Sequence, residues 1–95
     1  MTILETTQYA RTKKKIIKKF ILTEQEIDTT LTLFKEHQND PALHYKKMTC
    51  KKDKNRYSIR ILGTSYRILM TVLNNEAILA CVCDHDDYDM RNKGC

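Results

Sequence analysis

Two arginines and a histidine carry the strongest chemical signal in this 95-residue chain. Tyr57–Leu62 and Tyr66–Val72 both alternate apolar and polar side chains, the period of half-buried strands. Gly63 and Thr64 between them fit a tight hairpin turn with glycine at its first central position. That register sets Arg60 opposite Arg67, with Cβ atoms roughly 5 Å apart. Two guanidinium groups so placed repel each other unless an anion lies between them, and their planar forks suit phosphate. Asn74–Asn75 marks a second hairpin, which sets Arg67 opposite Val82 and brings the chain out of the sheet at Asp84 and His85 beside the arginines. His85 is the candidate general acid or base, since an unperturbed imidazole titrates at about 6.5. The carboxylates of Asp84, Asp86, Asp87 and Asp89 favour its charged form. Tyr88 adds a phenol able to stack on a base or donate to a phosphate.

A basic run enters the arginine strand: Lys46, Lys47, Lys51, Lys52, Lys54 and Arg56, with His44 and Tyr45 at its start. An aromatic interleaved with charge is typical of single-stranded RNA contact, and Lys51, Lys52, Lys54 and Arg56 are the candidate RNA-binding residues. Charge is segregated along the whole chain. Residues 1–22 carry +5, 23–44 carry −4, 45–67 carry +7 and 68–95 carry −3, so the net +5 comes from two basic blocks. Clustered positive charge is the footprint of a polyanion binder. Other chemistries find no residues. There is no Gly-rich nucleotide loop, nucleophile elbow or CxxC pair, and the aspartates lack the glycine spacing of a calcium loop. Cys81 and Cys83 lie on one face of a strand at a spacing zinc knuckles do not use, and read as thiols packed as small hydrophobes. The expectation is therefore no metal, no cofactor and no disulfide framework.

These residues need elements to position them. Thr2–Glu5 reads as a short first strand. Tyr9, Ile16 and Phe20 recur at helical spacing, with Lys13, Lys14, Lys15, Lys18 and Lys19 filling the other faces. Thr23 and Glu26 form a capping-box signature that opens a second helix, with Ile27, Leu31 and Phe34 as its buried stripe and Asn39–Pro41 as its stop. Ile78–Cys83 is apolar throughout, as a central strand covered on both faces should be. The class is α+β: two N-terminal helices packed on a small, mainly antiparallel sheet in the order β-α-α-β-β-β. Residues 1–95 make one domain, with 84–95 as a polar and partly disordered tail. At 41% hydrophobic the chain is too apolar for disorder, and no apolar run approaches the ~18 residues of a membrane span. With no secretory signal pattern, the expected compartment is the cytoplasm.

The opening ILETTQYARTKKKI, the stretch NRYSIRILGTSYRILMTV at 55–72 and the tail DHDDYD together resemble the RelE/ParE superfamily, the toxin components of bacterial type II toxin–antitoxin systems. The resemblance implies a RelE-like fold, neutralisation by a cognate antitoxin protein, and one of two activities. One is endoribonuclease cleavage of mRNA on the ribosome without a metal, by attack of a ribose 2′-OH on the adjacent phosphate. The other is a non-nuclease binding role, such as inhibition of DNA gyrase, or an inactive member. Carried onto this chain, Arg60 and Arg67 take the positions of the basic active-site residues, and His85 and Tyr88 those of the tail histidine or aromatic. Ser58 stands where the best-known ribosome-dependent type has a lysine, so base duty falls to His85.

Overall fold

A computed structural model describes residues 1–84. The first strand, β1 (Thr2–Glu5), leads into helix α1 (Thr7–Lys18) and helix α2 (Glu24–Glu36). A 3-10 turn over Pro41–Leu43 follows, then strands β2 (Lys46–Lys47), β3 (Arg56–Arg60), β4 (Arg67–Leu73) and β5 (Glu76–Cys83). The five strands form one sheet in the order β1-β5-β4-β3-β2, antiparallel except where β1 runs parallel to β5. This is the expected α+β architecture with one addition. β2 is an edge strand of two lysines, too short and too polar to show an apolar period.

One face of the sheet packs on the helices. Ile59, Ile61, Ile68, Met70, Ala77, Leu79 and Val82 meet Tyr9, Ile16, Ile27 and Phe34 in a single buried cluster. The capping box forms as read: the Thr23 hydroxyl accepts from the Glu26 backbone N–H, and the Glu26 carboxylate accepts from the Thr23 backbone N–H. Helix α2 stops at Glu36, earlier than the proline. Buried Thr30 ties that helix to the hairpin, its hydroxyl donating to the Glu26 carbonyl and accepting from the Leu62 N–H at 3.1 Å.

The first hairpin keeps its expected register with a different turn. The Thr64 N–H donates to the Ile61 carbonyl, so the tight turn is Ile61–Thr64, with Gly63 at the second central position and φ of 73°. That backbone angle belongs to the left-handed region where glycine is unstrained. The Ile61 N–H then donates to the Tyr66 carbonyl, which restores the ladder and leaves Arg60 opposite Arg67. The second hairpin turns through Asn74 and Asn75, both at positive φ, as a two-residue turn of the primed type requires.

Phe20 is a conformational outlier. Its N–H donates to the Ile17 carbonyl and the Ile21 N–H to the Ile16 carbonyl, the pair of bonds that closes a helix in a Schellman motif. Phe20 holds the left-handed position (φ 58°), where glycine is the usual residue, and its side chain is 96% exposed. A bulky residue there costs about 1–2 kcal/mol and recovers nothing by burial. Phe20→Gly is therefore expected to raise stability by roughly 1 kcal/mol, read as a higher denaturation midpoint with unchanged slope.

Candidate phosphate-binding face

The sheet face away from the helices carries the chemistry. Along β3 it presents Arg56, Ser58 and Arg60, and along β4 their register partners Thr71, Leu69 and Arg67. Backbone bonding between Ile61 and Tyr66 makes the next pair, Arg60 and Arg67, a non-hydrogen-bonded one by the alternation of an antiparallel ladder. That is the geometry in which facing side chains approach most closely. Arg67 is 9% exposed and Arg60 half-buried, so both charges sit in partly desolvated surroundings. The Arg60 Nε is buried and meets no hydrogen-bond acceptor among the described residues. An oxyanion seated over the pair would accept from it and offset the repulsion.

On the other side of Arg67 the register departs from expectation. Its partner is Cys83 and not Val82, because the β4–β5 ladder shifts between Leu69 and Met70. Leu69 faces Cys81 while Met70 faces Leu79, so Ala80 is an extra residue on β5, a β-bulge. Helix α1 holds the bulge from both sides. The Thr6 hydroxyl donates to the Leu79 carbonyl at 2.8 Å, and the Val82 N–H donates to the Thr12 hydroxyl at 3.0 Å. The bulge reverses which residues face where. Leu79 and Val82 both point at the helices, and Cys81 and Cys83 turn onto the arginine face with Leu69.

The basic run falls elsewhere on this face. Lys51, Lys52 and Lys54 are exposed on the loop between β2 and β3. Asp53 pins that loop: its carboxylate accepts from the Thr71 hydroxyl and the Asn55 N–H and lies 3.5 Å from the Arg56 Nε. Arg56 is thus engaged in holding the loop. Thr71 lies four residues from Arg67, so the loop lysines stand ~13 Å along β4 from the arginine pair. Burial pushes the Asp53 carboxyl upward, but the Thr71 and Asn55 bonds and the Arg56 charge outweigh it and hold the group below its ordinary 3.8. A depressed folded-state pKa adds stability above the unfolded value that is lost as pH falls through the folded one. Asp53→Asn is accordingly expected to lower stability at pH 7 and to flatten its decline below about pH 4, measured by denaturant titration across pH.

Two residues of the face were named from the sequence but not placed beside the arginine strand. Lys46 on β2 pairs with Ser58, which places a lysine beside the serine in the row Lys46–Ser58–Leu69–Cys81. Cys83 becomes a neighbour of Arg67 only through the bulge. Tyr45 moves the other way. Its ring stacks on Tyr57 at 5.0 Å and meets Phe34 at 5.3 Å, against the helical core, so it is not an open base-stacking platform. His85 and Tyr88 lie outside the described residues. Among the described residues, no three His, Cys, Asp or Glu side chains converge on a metal position. Cys50 is disulfide-bonded, which corrects the expectation that the cysteines are packed as thiols throughout.

No protein-family model and no curated protein matches the chain. Solved structures do. YafQ from E. coli BL21(DE3) superposes with a TM-score of 0.72 at 8% identity, covering 90% of this chain and 94% of its own. YafQ in the E. coli DinJ–YafQ toxin–antitoxin complex gives 0.71 at 10% identity, over 90% and 92%. The YoeB dimer of Staphylococcus aureus gives 0.60 at 20% identity, over 90% and 97%. The chain has the RelE-like α+β fold that the order of its elements defines. It shares that fold, across nine-tenths of its length, with YafQ and YoeB.

Proposed function

We propose that this protein is the toxin of a type II toxin–antitoxin system, an endoribonuclease that cleaves mRNA on the ribosome in the cytoplasm and is neutralised by a cognate antitoxin protein. The observation that carries the reading is the close, partly buried Arg60–Arg67 pair on the sheet face away from the helices of a RelE-like fold. The DinJ–YafQ complex supports the antitoxin partner, since a protein of this fold is there bound by one.

The chemistry follows from the charges. A ribose 2′-oxygen attacks the adjacent phosphorus, the P–O5′ bond breaks, and a 2′,3′-cyclic phosphate and a 5′-hydroxyl result. Negative charge grows on the phosphoryl oxygens as the new bond forms. Arg60 and Arg67 stabilise it with fixed donors that need no reorganisation. Lys46, opposite Ser58, adds a third cation to the same face. His85 takes the 2′-OH proton, a water molecule protonates the departing 5′-oxygen, and Tyr88 assists at the phosphate. Lys51, Lys52 and Lys54 meet the RNA strand farther along, where it runs down β4 toward the loop. No step uses a metal or cofactor.

A second reading rests on α1. Its exposed lysines end at the exposed Phe20, a surface suited to docking on gyrase or another partner. Induced expression in bacteria separates the two. Cleavage predicts growth arrest with new transcript ends, abolished by Arg67→Ala or His85→Ala. Docking predicts arrest with intact transcripts, abolished by reversing the charges of Lys13–Lys15.

A further inference from the structure

The thiols of Cys81 and Cys83 are buried, carry no disulfide and lie with their Sγ atoms 3.5 Å apart on the arginine face. A core role alone does not call for this placement. In an unbulged β5 the alternation set by Ala77 and Leu79 would turn both cysteines into the helical core. The bulge at Ala80, held by Thr6 and Thr12, turns them out beside Arg67 instead. Bulges near functional sites commonly re-aim side chains in this way.

Metal–thiolate bonds of ~2.3 Å at the ~120° angle of a three-coordinate ion put two sulfurs ~4.0 Å apart. The pair needs to part by only ~0.5 Å from the observed separation to chelate one ion. Met48 packs against the same cluster of Leu69, Cys81 and Cys83, with its Sδ 3.7 Å from the Ser58 Oγ. Its thioether is the third soft donor of the patch. The donor set, sulfur throughout, points to the metal. Two thiolates and a thioether match a soft monovalent ion.

We propose that Cys81 and Cys83, with Met48, form a binding site for Cu(I). Each thiol gives up its proton on coordination, so one ion displaces two protons and leaves a complex of net charge −1. Arg67 lies opposite Cys83 and Arg60 opposite Arg67, where their positive charge offsets that of the complex. The proposal does not rest on RNA cleavage, and its test does not read activity.

The test titrates the reduced full-length chain carrying Cys50→Ser and Cys95→Ser with Cu(I) under anaerobic conditions against a chromophoric Cu(I) chelator. One ion per chain, two protons released per ion and an all-sulfur shell by X-ray absorption are expected. Uptake is expected to be lost on adding either Cys81→Ser or Cys83→Ser, and weakened by Met48→Leu. No uptake by the chain that keeps Cys81 and Cys83, or a shell of nitrogen and oxygen, overturns the proposal. So does uptake that survives both Cys81→Ser and Cys83→Ser. Should either serine variant fail to fold, the stoichiometry and ligand shell of the Cys81/Cys83 chain decide the matter alone.

Discussion

Arg67→Ala is expected to lower the rate of RNA cleavage by at least ~100-fold, or about 3 kcal/mol of transition-state stabilisation, while leaving the protein folded. Arg67 is the more buried of the two facing arginines, so its charge acts in the less screened environment. Its partner across the ladder is a like charge, so removing one of the two facing cations relieves their mutual repulsion. Arg67→Lys is expected to recover only part of the rate, since an ammonium supplies charge without the planar two-point contact to phosphoryl oxygens. Single-turnover cleavage beside thermal unfolding of the same preparations checks both parts. A large fall in melting temperature with the loss of cleavage would place Arg67 in the structure and not in the chemistry.

The second large effect is on stability. Thr12→Val keeps the shape of the side chain and removes the hydroxyl that accepts from the Val82 N–H and donates to the Tyr9 carbonyl. Val82 is buried, and the adjoining bulge leaves its backbone no easy substitute partner. Leaving that donor unpaired is expected to cost ~1–3 kcal/mol. For a domain of this size the melting temperature falls by about 4–8 °C for each of those. Thr12→Ser retains the hydroxyl and is expected to restore most of the loss. Equal losses for valine and serine would mean that packing of the threonine methyl, and not the bond to β5, holds the bulge.

The contrast between these two residues shows what could be read before the structure. Arg60 and Arg67 were legible as partners because their pairing depends on one short loop. The turn closes one residue earlier than expected, yet the chain between Ile61 and Tyr66 has the same length in both readings. The helix starts were legible for a similar reason, since Thr23 and Glu26 bond to each other three residues apart. The bulge was not. Nothing in Leu79–Cys83 marks an extra residue, because its cause is hydroxyl groups some 70 positions away on α1. A local alternation rule therefore slipped by one residue at Ala80 and paired Arg67 with Val82. Lys46 was hidden differently: a two-residue edge strand has no period to detect, and its pairing with Ser58 is set by β3. Phe20 defied its spacing, since it continues the apolar stripe of α1 in sequence but lies past the helix end.

The central claim is that the arginine face cleaves RNA through the substrate's own 2′-OH. Purified protein added to ribosomes programmed with an end-labelled mRNA tests it most directly, with the mapped cut site remade as a single 2′-deoxynucleotide. The predicted result is cleavage of the unmodified message to a 2′,3′-cyclic phosphate end, no cleavage of the deoxy-substituted one, and none of either by Arg67→Ala. An intact message, or equal cleavage of both messages, would contradict the account.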